Sequence, residues 1–235
     1  MNTALFLIAL LQTGSYQPPQ LQQTTVVEYP FTTTNTQWVV LDMEINQRGR
    51  VQSVAVLQGA SPFLELVLTN VNLWEFTTAT AQGPTQNHVT AVFVFRPRDL
   101  FSGSPLSMPQ IYRRGPDSAP LPVLLYDPGY PTSSVGEGLT ILEMRLAESG
   151  GADAIRVIRD TPGLAAHTER VARTWRFQPA MRNGSAANGS VIVVAWYLRP
   201  IIYNNPPTMP GPYYPYEPIV PPATFRDGGP NPRGF

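Results

Sequence analysis

The side chains able to do chemistry are few in this chain, and they do not converge. His88 and His167 are the only histidines, one near the start of an apolar run and one within a helical pattern. With no third ligand in the sequence, both read as ordinary surface residues, and neither a metal nor any other cofactor is expected. The absence of cysteine excludes disulfides, thiolate metal sites, a cysteine nucleophile and an acylated-cysteine anchor. Asp153, Asp160 and Glu169 fall among Arg156, Arg159, Arg170 and Arg173. That mixture reads as a solvated face, with a patch for an acidic partner as the alternative. No nucleophile, base and orienting group occur together, so the residues point away from an enzyme. The Asn-Gly-Ser sequences at 183–185 and 188–190 match a glycosylation acceptor, and they equally suit a loop between strands.

What remains is backbone chemistry. A strand at the edge of a sheet presents a row of N–H and C=O groups that can pair with another extended chain. The run Val191–Leu198 (VIVVAWYL) carries neither charge nor proline before Arg199-Pro200, the features that usually guard such an edge. Its backbone at Val191, Val193, Ala195 and Tyr197 is therefore the candidate partner-binding edge, with Val89–Phe95 as its counterpart earlier in the chain. Such an edge has to be covered, by a ligand, by a second copy, or by the chain's own tail.

Charge and composition narrow the class of partner. The 16 basic residues, all arginine, balance 16 acidic ones, so no broad positive field exists to attract nucleic acid. Hydrophobic residues make up 43% of the chain, enough for packed cores, but 26 prolines and 18 glycines suggest ordered modules separated by extended segments. Ala4–Leu11 is the longest apolar run near the N-terminus and is too short to cross a bilayer, which takes about 20 residues. It suits the apolar region of a signal peptide, with Thr13 and Ser15 near a cleavage point, although the preceding residues lack Arg.

The elements that position the edges come in two copies. Aligning residues 29–84 with 130–185 pairs Tyr29/Tyr130, Pro30/Pro131, Leu41/Leu142, Met43/Met144, Gly49/Gly150 and Val56/Val157. Trp74/Trp175, Phe76/Phe177, Ala79/Ala180 and Gly83/Gly184 follow in the same register. Chance supplies an identity at only about 6% of positions, so the chain holds an internal repeat. In the first copy Val39, Leu41, Met43 and Ile45 alternate with Val40, Asp42, Glu44 and Asn46, the period of a half-buried strand. Gln47-Arg48-Gly49 supplies a turn, Val51–Leu57 returns, and Ser61-Pro62 reads as a helix start. Phe63, Leu64, Val67 and Val71 give one buried helix face. Trp74 and Phe76 open the next strand and Val89–Phe95 closes the unit. The second copy repeats this plan with Leu142, Met144 and Leu146, a turn at Ser149-Gly150-Gly151, a return at Ala154–Ile158, a helix starting at Thr161-Pro162, and the run to Leu198. Trp74 and Trp175 read as core residues joining helix to sheet.

The expected fold class is α+β: two small two-layer modules, each an antiparallel sheet with one helix in the order β-β-α-β. The expected boundaries are a candidate signal peptide at 1–15, a module at 25–97, a linker at 98–121, a second module at 122–200, and a Pro-rich tail at 201–235. Leu121–Tyr126 is a candidate to pair with the second module. The tail's PYYPYEP at 212–218 suggests polyproline II, either as a docking motif or as a disordered end.

The second copy resembles the C-terminal domain of the TonB energy-transducer family. The resemblance rests on Tyr130-Pro131 and Gly136-Glu137-Gly138 before the first strand, on TWRFQPA at 174–180, and on Asn183-Gly184. It covers about 75 residues, from Pro122 to Pro200. The first copy is a divergent match that keeps Tyr29-Pro30 and LWEFTTA but lacks the Gly-Glu-Gly. Tyr130, Pro131, Gly138, Gly150, Trp175, Phe177, Pro179 and Ala180 are the family-signature positions, and their roles are mainly structural. The resemblance implies a periplasmic or secreted module of the cell envelope, without a transmembrane anchor, that captures an extended peptide or protein by strand addition. An outer-membrane receptor is the partner class it implies. The spanning anchor and the long Pro/Lys-rich linker of a working transducer are absent from these residues, so the expectation is a relative that keeps recognition without force transmission. A structural subunit using the same edges to form a homodimer is the alternative.

Overall fold

Each copy folds as its apolar pattern dictates, but the two copies are not separate modules. In a computed structural model that describes residues 16–26, 28–30, 33–78, 87–109 and 115–201, the chain runs in order through β1 (Leu21–Gln23), β2 (Gln37–Ile45), β3 (Val51–Gln58), α1 (Phe63–Val71), β4 (Glu75–Phe76) and β5 (Asn87–Phe95). It continues through β6 (Leu106–Ser107), β7 (Leu121–Leu125), β8 (Gly138–Leu146), β9 (Ala152–Arg159) and α2 (Ala165–Ala172). β10 (Arg176–Gln178), β11 (Ala180–Arg182), β12 (Ser185–Ala187) and β13 (Gly189–Tyr197) complete it. The candidate signal peptide and the tail beyond Ile201 lie outside the described residues. Among the described residues the fold is mixed α and β, with mostly antiparallel sheets and two helices.

The repeat is visible in local geometry. β2–β3 and β8–β9 are antiparallel hairpins, and β3 and β9 share one burial pattern residue for residue. Their turns place Gly49 at φ 74° and Gly150 at φ 81°, the left-handed region where a side chain is strained. A Cβ on either would also collide with a carbonyl oxygen, that of Phe76 or of Phe177. Asn183 and Gly184 both take positive φ in the tight turn between β11 and β12, the geometry an Asn-Gly hairpin favours. The helix starts differ from expectation. α1 begins at Phe63 with no side-chain cap on its first turn. In the second copy the Thr161 hydroxyl donates to Leu139 O instead of capping, and Asp160 accepts the Ala165 N–H at 3.0 Å.

One six-stranded sheet spans both copies in the order β3-β2-β5-β13-β8-β9. The copies join through their last strands, which pair in parallel from Thr90↔Val191 to Phe95↔Trp196. The order is symmetric about that junction. A rotation that exchanges the copies while keeping β5 and β13 parallel turns the sheet over, so the two helices belong on opposite faces. That is where their cores lie. Phe63, Val67 and Val71 of α1 pack with Phe93 and Phe95, and also with Leu139, Ile141, Ile192 and Val194 of the other copy. Leu164, Ala165 and Ala172, around α2, pack with Leu142 and Val193, and also with Val40, Val92 and Val94 of the first copy. Both cores are composite, which is why neither copy closes on its own.

Three expectations change as a result. The described residues through Ile201 form one unit rather than modules at 25–97 and 122–200. The stretch at 98–121 is no free linker, since β6 and β7 form a three-stranded sheet with β10; the expected pairing of Leu121–Tyr126 with the second copy is present there. The candidate binding edge at Val191, Val193, Ala195 and Tyr197 is not an edge. β13 is hydrogen-bonded to β5 on one side and β8 on the other. The lack of charge in VIVVAWYL reflects burial of both faces inside the sheet, the pattern of a central strand. The counterpart strand, Val89–Phe95, is interior for the same reason.

Because the cores are shared, the protein is expected to unfold in one cooperative urea transition reported alike by Trp fluorescence and far-UV circular dichroism. Trp74 is 1% exposed, in the α1 core. Trp74→Ala should shift that whole transition by about 3–5 kcal/mol. Two separable transitions, with only one moved by the substitution, would mean that the copies fold independently.

Candidate functional site

The true margins of the sheet are β3 and β9, and they are the candidate site. Each is eight residues long and projects side chains at intermediate to full exposure; Val56 is 44% exposed and its repeat partner Val157 43%. The hairpin turns hold them in place. Asn46 Oδ1 accepts the N–H groups of Arg48 and Arg50, and the Arg50 guanidinium pairs with Glu75 at 2.6 Å.

The two margins differ in chemistry. β9 (ADAIRVIR) carries Asp153, Arg156 and Arg159, and Arg156 is engaged with Glu143 at 2.6 Å. Charges of this kind guard an edge, because pairing with another strand would desolvate them. β3 (VQSVAVLQ) carries neither charge nor proline. Among the described residues no strand pairs with its outer side.

A buried ion pair fixes the framework behind these margins. Arg96, at the end of β5, and Asp127, after β7, are both fully buried, with Nε and Oδ1 at 2.6 Å. The same Oδ1 accepts the Gly129 N–H, while Oδ2 accepts the Gly103 N–H and the Thr36 hydroxyl. Arg96 Nη2 donates to Phe101 O at 2.7 Å. Its guanidinium also lies 5.8 Å from the centre of the Tyr197 ring, within cation–π range. Burial pushes the Tyr197 phenol pKa upward, partly offset by its hydrogen bond to Thr168 at 2.7 Å.

The histidines are not ordinary surface residues. His167 Nε2 meets Pro128 O, and His88 Nδ1 lies 2.8 Å from Asp42 Oδ1. Burial of the His88 ring opposes its cation. The Asp42 hydrogen bond and the carboxylates of Asp42, Glu44 and Asp117 outweigh that, and the pKa sits above its ordinary 6.5. His88 Nε2 is buried and has no hydrogen-bond partner among the described residues. No group of three metal-ligating side chains occurs among the described residues.

The signature positions sit in the frame of the second copy. Tyr130 donates to Gly136 O at 2.8 Å, and Pro131 O accepts the Ser134 N–H. Gly138 begins β8 against Thr161, where a Cβ would crowd its hydroxyl. Gly150 occupies its turn, and Trp175 Nε1 donates to Tyr126 O at 3.0 Å. Phe177 is buried in the α2 core, Pro179 follows β10, and Ala180 opens β11. None of these residues lies on the outer margins β3 and β9. No family model matches the chain, and no curated protein or solved structure matches it.

Sequence reasoning missed β3 and β9 as the margins. The available signal was periodicity. β3 and β9 show a mixed pattern, while β5 from Ala91 to Phe95 and β13 from Val191 to Tyr197 are continuously apolar, which requires cover on both faces.

Removing one partner of the buried pair leaves an uncompensated charge. Asp127→Ala should therefore cost about 3–5 kcal/mol in urea unfolding at neutral pH. His88 predicts a pH effect of definite sign. Its folded pKa is raised, so its stabilising contribution is full below about pH 6.5 and is lost as pH rises through the folded value. Stability of the native protein should fall over that window relative to His88→Gln, which has no such titration.

Proposed function

We propose that the protein binds an extended peptide or protein segment by adding a strand to the outer side of β3, and that it is a non-enzymatic binding protein of the cell envelope. The observation that carries this reading is an eight-residue marginal strand, free of charge and proline, on a sheet whose other margin is guarded. Strand addition draws affinity from main-chain hydrogen bonds and selectivity from alternate side chains. At β3 the exposed Gln52, Ser53, Ala55 and Val56 would supply that selectivity. The TonB-like residues of the second copy support the same mode of binding, with the receiving strand moved from β13 to β3. The apolar run at Ala4–Leu11 supports an exported, periplasmic or secreted location. Among the described residues no helix is long and apolar enough to cross a membrane.

The alternative is self-association through the same strand. Two β3 strands pairing antiparallel about a two-fold axis would extend the sheet across a homodimer.

Light scattering on the full chain, followed by titration with a synthetic peptide of residues 51–58, separates the readings. Peptide capture expects a monomer whose β3 amides become protected from exchange as the peptide is added. Self-association expects a dimer. Val56→Lys should abolish either behaviour while changing stability by less than about 1 kcal/mol. A monomer with unresponsive β3 amides would sink both.

A further inference from the structure

A small pocket of about 110 Å³ opens on the other half of the sheet, between Pro18–Gln20 and the face formed by β8, β9 and β13. Strand register determines its floor. Ser190 of β13 lies opposite Arg145 of β8, which lies opposite Ala154 of β9. The neighbouring rung holds Glu143 opposite Arg156. Four polar side chains therefore meet on one face under the N-terminal segment.

Two of the four are already satisfied. Glu143 is nearly buried; its Oε1 accepts the Leu21 N–H at 2.8 Å and its Oε2 accepts Arg156 Nε and Nη2 at 2.9 and 2.6 Å. Arg156 Nη2 also donates to Leu21 O. This pair cancels its own charge and ties down the N-terminal segment. The other two are not satisfied. Ser190 is 3% exposed, and its Oγ has no hydrogen-bond partner among the described residues. Arg145 appears in no salt bridge among those residues. Pro18 and Pro19 close the pocket without any N–H to offer. The pocket thus holds a net positive charge, a buried idle hydroxyl, and volume for about three to four water molecules at roughly 30 Å³ each.

We propose that this pocket binds one small oxyanion group, a carboxylate or a phosphate, held by the Arg145 guanidinium and the Ser190 hydroxyl. The guanidinium provides planar, charge-assisted donors suited to two oxygens of such a group. The hydroxyl one strand away supplies a further donor, and the group would satisfy the one buried Oγ the fold leaves unpaired there. The volume admits the anionic group alone, so the rest of any larger ligand would project from the mouth. This inference is independent of strand addition at β3, which lies at the opposite margin of the sheet.

The test is amide NMR on the full chain, titrated separately with acetate and with inorganic phosphate at constant ionic strength set by chloride. A saturable shift of the Arg145 and Ser190 amides with either anion is expected. A response to acetate alone identifies a carboxylate site, such as a peptide's acidic side chain or C-terminus; a response to phosphate alone identifies a phosphoryl site. Arg145→Gln should weaken binding by at least about tenfold, and Ser190→Ala should weaken it by a smaller factor. Ser190→Ala also controls for folding. Exchanging an unpaired buried hydroxyl for a methyl should leave the anion-free melting temperature unchanged or raised. No saturable shift with either anion, or equal binding by Arg145→Gln, would overturn the proposal.

Discussion

The parallel pairing of β5 with β13 is the constraint from which the rest of the structure follows. It joins strands whose paired residues are about a hundred positions apart, from Thr90↔Val191 to Phe95↔Trp196. Once those strands lie side by side and parallel, exchanging the copies turns the sheet over, and each helix must cover a different face. Each core then draws apolar side chains from both copies, with Ile141 and Val194 under α1 and Val40 and Val92 under α2. The central strands are buried on both faces, so their near-continuous apolar sequences are what this position requires.

The Arg96–Asp127 pair is where polar chemistry reinforces that junction. Arg96 ends β5 beside the last residues of β13, and its backbone N–H reaches Trp196 O at 3.3 Å. Asp127 gathers Thr36 from the first copy and Gly103 and Gly129 from the connecting chain. A fully buried ion pair is costly to desolvate, and here both Asp127 oxygens and the Arg96 Nε and Nη2 are hydrogen-bonded, while Arg96 Nη1 is buried without a partner among the described residues. The pair places the connecting chain against the sheet instead of leaving it as a tether.

Divergence between the copies has given the two halves different surfaces on one frame. Leu66 of α1 and Leu73, just past its end, are exposed beside Val26 and Pro30 in a broad groove that also contains Glu28 and Glu65. α2 presents Glu169, Arg170 and Arg173 instead, with Arg173 paired to Glu169 at 2.7 Å. The margins follow the same division, neutral in β3 and charged in β9. The fold positions both sets of features equivalently, so the side chains alone distinguish a strand open to pairing from one closed to it.

Local structure was legible in the sequence because its causes are local. Alternation along Val39–Ile45 and Leu142–Leu146, glycines at positive φ in both hairpins, and the Asn-Gly turn each depend on neighbours a few residues away. The repeat itself was legible for the same reason. Which strands form the margins was not, because an apolar strand has the same sequence whether its flanks meet solvent, a ligand or another strand. Val191–Tyr197 reads as an unguarded edge until the parallel partner about a hundred residues upstream is in place. The pocket of Arg145 and Ser190 was hidden in the same way, since it exists only where register brings β8 and β13 together and Pro18–Gln20 folds over them. Side-chain periodicity determined the elements; long-range backbone pairing decided which of them remained available.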